Sequence, residues 1–160
     1  MRRFAFAGLA IALFVACQPP EPVELTEAEK AEIADAVREA NADYWAAWAR
    51  KDFDGYAEFY SSRSDEFPLL SYESFDAHRS RVMEIWDTLS TWEIREMEQP
   101  DVMVLGSDMA FMTGSALSLL TFTTENVREW EQDFAYVWVR EDEGWKLAAA
   151  QIFTEIREPS

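Results

Sequence analysis

The apolar residues of this chain change their spacing near Ser90, from the three-and-four rhythm of helices to the alternation of strands. That switch limits the fold to helices followed by a sheet. Thr26 and Glu29 form a capping box, and Ile33, Val37, Ala40, Tyr44, Ala47 and Trp48 continue as a stripe, so the spacing predicts a long helix over 26–50. Lys51-Asp52 breaks the stripe. Asp52 caps a second, short helix whose apolar face is Phe53, Tyr56, Phe59 and Tyr60. Pro68 biases Phe67 away from helical angles, so 67–70 reads as extended. A third helix is predicted from Ser74 to Leu89, with Phe75, His78, Val82, Ile85, Trp86 and Leu89 along one side.

Beyond Ser90, Trp92, Ile94 and Glu96 alternate with Glu93 and Arg95, and Val102, Val104, Ala110, Met112, Leu117 and Leu119 follow in further strand-like runs. Gly106-Ser107-Asp108 is a tight turn, 121–128 a hairpin bend, 130–140 a strand, and 141–144 a turn into a last strand over 145–156. The expectation is an α+β domain over residues 24–158, with about three N-terminal helices packed on one face of a curved antiparallel sheet. Its core must be rich in rings, since the chain carries seven Trp.

Ahead of the domain, Met1-Arg2-Arg3 is a positive start, and Phe4 to Ala16 is an uncharged run shorter than the roughly 20 residues a membrane-spanning helix needs. Phe14-Val15-Ala16-Cys17 sets a small residue before the only cysteine and resembles the lipobox of bacterial lipoprotein signal peptides, with Phe14 in place of the usual Leu. The resemblance implies a signal peptide over 1–17, a lipidated Cys17 holding the domain on a membrane, and a place in the bacterial cell envelope outside the cytoplasm. The Pro-rich segment 18–23 then serves as a semi-rigid tether. Thirty-one Asp and Glu against 14 Lys and Arg give a formal charge of -17, which repels phosphate backbones and excludes nucleic acid as a partner.

The run Tyr44-Trp45-Ala46-Ala47-Trp48-Ala49-Arg50-Lys51-Asp52-Phe53-Asp54-Gly55-Tyr56 resembles the opening of the nuclear-transport-factor-two-like superfamily, SnoaL-like branch. Phe134-Ala135-Tyr136-Val137-Trp138-Val139-Arg140, followed by Gly144-Trp145-Lys146-Leu147, resembles its final hairpin. The resemblance implies a cone-shaped half-barrel with a mostly apolar pocket, often in a homodimer. It says little about activity, because the superfamily hosts isomerases, dehydratases, cyclases and non-enzymatic modules.

Tyr44 falls where the ketosteroid isomerase branch carries a tyrosine that donates to a developing oxyanion, and the competing reading is a core tyrosine on the buried stripe. That branch also sets a carboxylate base just before a proline. Here Phe67 precedes Pro68, the adjacent Glu66 and Asp65 do not simply substitute because a one-residue shift in a strand turns a side chain to the opposite face, and this departure counts against steroid-isomerase chemistry. His78, the single histidine, is a candidate general base or a structural helix histidine. Trp48, Phe67, Trp86, Met112 and Trp138 are candidates to line a pocket for a small apolar molecule, against core packing or a dimer contact. No metal is expected, since Asp52-Phe53-Asp54-Gly55 lacks the later ligands of a calcium loop and no His-Glu-x-x-His occurs. Nor is there a Gly-rich phosphate loop, so no cofactor is expected. Two functions remain open: a binding module for a small apolar ligand or envelope partner, and an isomerase, dehydratase or cyclase acting on a small hydrophobic substrate.

Overall fold

The computed structural model describes residues 24–61 and 75–158. Helix α1 spans Glu27–Ala49, and the capping box is formed as expected: the Thr26 side chain accepts from the Glu29 amide, and Glu29 accepts from the Thr26 amide at 2.8 Å. The helix buries Val37, Asn41, Tyr44, Trp45, Ala47 and Trp48, a face that widens toward its C-terminus. Lys51 takes a left-handed conformation (φ 56°) that stops the helix, and Asp52 caps α2, Phe53–Ala57, by accepting from the Gly55 amide. Helix α3, Phe75–Thr88, buries His78, Val82 and Trp86, one above the other at four-residue spacing. Lys51 binds α3 to the end of α1. Its Nζ donates to the carbonyl of Trp86 in the last turn of α3 at 2.8 Å and to that of Leu89 just beyond it.

The strands are β1 (Leu89–Met97), β2 (Asp101–Val104), β3 (Met109–Phe122), β4 (Val127–Glu141) and β5 (Gly144–Arg157), all antiparallel in one sheet. The order is β1-β3-β4-β5, and β2 also pairs with β3. Strands β1 and β2 lie end to end along the same partner: β1 faces residues 116–122 of β3 and β2 faces 110–113. They amount to one bent strand interrupted at Glu98-Gln99-Pro100, where Pro100 has no amide to give the ladder. Arg38 of α1 donates to the Pro100 carbonyl at 3.1 Å and fixes the break against the helix.

Two details of the alternation differ from the sequence reading. A register shift between Ile94 and Glu96 reverses the faces of β1, so Met97 and not Glu96 joins Trp92 and Ile94 on the core. On β3, which runs against β4 without a shift, the buried positions are Ala110, Met112, Ala116, Ser118 and Leu120, and this puts Leu117 and Leu119 on the other face. The concave face of the sheet receives α1, and the aromatic core fills the space between them. The two ends of the domain meet at Leu147: its amide donates to the Phe59 carbonyl at 2.6 Å and its carbonyl accepts from the Ser61 amide at 3.0 Å. No helix among the described residues is long and apolar enough to cross a membrane.

Candidate functional site

Between the helices and the concave face lies a cavity of about 250 Å³. The last turns of α1 supply Tyr44, Trp45 and Trp48, α2 and the residues after it supply Tyr56 and Tyr60, and α3 supplies His78, Val82 and Ile85. The sheet closes it with Trp92 of β1, Trp130 and Gln132 of β4, and Ile152 and Thr154 of β5. Its walls are indole rings in mutual contact: Trp48 and Trp92 centroids lie 5.2 Å apart edge to face, and Trp92 and Trp130 lie 4.5 Å apart.

One side of the cavity carries a cluster of hydroxyls around an imidazole. Tyr56 and Tyr60, four residues apart and so on one side of the chain's turn, are hydrogen-bonded to each other through their hydroxyls. Both reach His78 Nε2, Tyr56 at 2.8 Å and Tyr60 at 3.0 Å. Burial pushes the His78 pKa down to about 4, so the ring is neutral at pH 7. Burial also raises the Tyr56 and Tyr136 phenols well above the ordinary tyrosine value, with the neighbouring Tyr44 and Tyr60 adding to the effect. These phenols therefore stay protonated, and Tyr56 can donate to the His78 ring. The ring of Tyr44 lies 5.2 Å from that of Tyr56 and 6.0 Å from that of Tyr136, which extends the cluster onto α1.

The cavity's lining also carries polar atoms that no described residue satisfies. The indole nitrogens of Trp45, Trp48, Trp92 and Trp130 and the Oε1 of Gln132 are buried without a hydrogen-bond partner among the described residues. Among those residues, none of the cavity's lining is an Asp, Glu, Lys or Arg, and no three His, Cys, Asp or Glu side chains are grouped to hold a metal ion.

Of the residues singled out from sequence, Tyr44, Trp48 and His78 come together at this cavity. Trp86, Met112 and Trp138 do not line it. They are packed in the core: Trp86 on the buried side of α3, and Met112 and Trp138, both wholly inaccessible, on the inward rows of β3 and β4. Phe67 and Cys17 lie outside the described residues, as do the signal segment, the tether and the stretch around Pro68. Sequence reasoning did not assign Tyr56, Tyr60 and Gln132 to the site. The four-residue spacing of the two tyrosines was a usable signal, and so was a lone amide in an inward row that otherwise reads Trp130, Phe134, Tyr136 and Trp138.

No protein-family model matches the sequence, and neither does any curated protein. Solved structures do match. A candidate scytalone dehydratase from Novosphingobium aromaticivorans superposes with a TM-score of 0.72 at 12% identity, over 84% of this chain and 93% of that one. A nuclear transport factor 2-like superfamily protein from Salmonella enterica serovar Typhimurium gives 0.63 at 11% identity, over 82% and 94%. The chain has the nuclear transport factor 2-like fold. A third structure of this fold, the type 3 hexachlorocyclohexane dehydrochlorinase LinA from Novosphingobium barchaimii, gives 0.69 at 11% identity, over 84% and 94%. The helices-then-sheet order and the curved open sheet expected from sequence are those of this fold. At such identities the likeness extends to architecture, and the chemistry has to be argued from the side chains.

Proposed function

We propose that this chain is a pocket protein of the cell envelope that holds a small, largely apolar molecule, with lipidated Cys17 as its membrane tether. The observation that carries the reading is the cavity itself: indole walls, a hydroxyl cluster, and a volume of about 250 Å³, just below the roughly 300 to 1,000 Å³ of drug-sized ligand sites and so suited to a small molecule. The state of His78 favours holding over turnover. A general base works best with a pKa near the working pH, whereas His78 is held near 4 and its Nε2 is already engaged by two phenols. Native mass spectrometry of the full chain purified from its own host tests the reading. A stoichiometric small molecule, displaced when Trp48 is replaced by Arg, is expected; a pocket filled only by the protein's own side chains would overturn it. For the tether, labelled palmitate should enter the wild type and not Cys17→Ser, and equal labelling of both would refute it.

A second reading is an enzyme of the elimination type. It is favoured by the names of two structural neighbours, a dehydratase and a dehydrochlorinase. In that reading His78 Nε2 releases its phenol hydrogen bonds and takes a proton from a substrate carbon, the C–H electrons form a double bond as the bond to the leaving group breaks, and a tyrosine of the cluster donates a hydrogen bond to the departing group. Once any turnover is found, Tyr44→Phe and His78→Ala should each slow it by about 100-fold or more. Unchanged rates in both would remove the enzyme reading.

A further inference from the structure

Gln132 lies in the middle of β4, on the face that turns Trp130, Phe134, Tyr136 and Trp138 inward. It is 2% exposed, it lines the cavity, and its Oε1 has no hydrogen-bond partner among the described residues. Its cross-strand neighbours are Ala116 on β3, which has no polar side-chain atom, and Thr154 on β5. A Leu or Met would fill similar space without burying an amide, so an unsatisfied amide oxygen at this position is a cost that packing does not explain. Ser118, opposite Trp130 on β3, is a second buried polar group of the same region without a partner among the described residues.

We infer that Gln132 sets the specificity of this cavity, and that the occupant is a neutral, flat, ring-containing molecule with a lactam edge, an N–H beside a carbonyl. This rests on the pocket-protein reading above and gives it a ligand class. The amide of glutamine carries an acceptor beside a donor, so it pairs in plane with a group that presents a donor beside an acceptor. Flatness follows from the walls, where Trp48, Trp92 and Trp130 stand as contacting slabs against which a ring can stack. Neutrality follows from charge. The chain's formal charge of -17 opposes anions, and among the described lining residues no carboxylate is present to pair with a cation.

The test compares 2-quinolone with naphthalene, two fused-ring probes of similar shape of which only the first has the lactam edge. Binding to the full chain is followed by quenching of tryptophan fluorescence, since four tryptophans line the cavity. Wild type should bind 2-quinolone about tenfold or more tighter than naphthalene. In Gln132→Leu and in the less branched Gln132→Met, the preference should vanish while naphthalene binding is kept or improved. Two replacements guard against one that packs badly, and far-ultraviolet circular dichroism checks that each folds. Naphthalene binding without any preference in wild type, or a preference that survives both replacements, overturns the role of Gln132 and leaves the pocket reading standing. Binding of neither probe to the wild type overturns both.

Discussion

Gly114 offers a sharp test of how tightly the concave face is packed. It pairs directly with Phe134 across β3 and β4, and the aromatic ring lies over the space a side chain would need. A Cβ on Gly114 would come within 2.6 Å of the Phe134 Cζ and 3.1 and 3.3 Å of two further ring carbons. The ring must move by about 1 Å to restore ordinary contact at roughly 3.5–4.0 Å. It has little room, being stacked on Tyr136 at 4.8 Å and flanked by Trp45 at 6.0 Å. Overpacking of this kind costs about 1–3 kcal/mol, and alanine returns some 0.5–1 kcal/mol through the smaller backbone entropy of the unfolded chain. Gly114→Ala should therefore lose about 1–2 kcal/mol. With a urea m-value of about 2 kcal/mol/M, the unfolding midpoint falls by about 0.5–1 M. Phe134→Leu also destabilises, but with the ring gone Gly114→Ala becomes nearly neutral, so the double-mutant cycle should show a coupling of about 1–2 kcal/mol. A Gly114→Ala protein as stable as the wild type, or the same loss in both backgrounds, refutes the reasoning.

Three further outcomes are expected. His78 is the only histidine, so its imidazole protons can be followed by NMR without ambiguity, and they should titrate near pH 4; a midpoint at or above 6.5 would contradict the burial. Because the unfolded ring, near 6.5, takes up its proton before the folded one does, the stability tied to His78 is complete above about pH 6.5. It declines as the pH falls toward 4, and His78→Gln should flatten that part of the stability-pH curve. Lys51→Met removes the amine from the Trp86 and Leu89 carbonyls and should cost about 2 kcal/mol in denaturant unfolding, where an unchanged midpoint would show that water replaces it at no loss.

What could be read from the sequence was local. The capping box at Thr26, the Asp52 cap, the Gly106-Ser107-Asp108 turn and the change of period all act over a few residues, and the structure has each of them. The join of β1 and β2 along one edge was not legible, because it depends on which partner each strand finds and on the break at Pro100. The inward face of β1 was misread for a related reason: one extra residue near Arg95 inverts a two-residue period. The site suffered most. A ring on an inward position of a strand can face a cavity or a packed core with the same alternation, so Trp138 looked as eligible as Trp92 and Trp130. Only the depth of helical cover along the sheet separates them, and that is a tertiary quantity.

The clasp at Leu147 also bears on the order in which the domain assembles. Pairing of β3 with β4 and of β4 with β5 needs only short turns, so these hairpins close small loops at little entropic cost. Joining Phe59 and Ser61 to Leu147 closes a loop spanning more than half of the domain, and contacts of that range form slowly. The meander should thus be in place before α1 and α2 settle on it, with the cavity, which borrows from both ends of the chain, completed last. A ligand seated there acts on the late step: it slows unfolding of the finished domain and leaves the rate at which the sheet first forms unchanged.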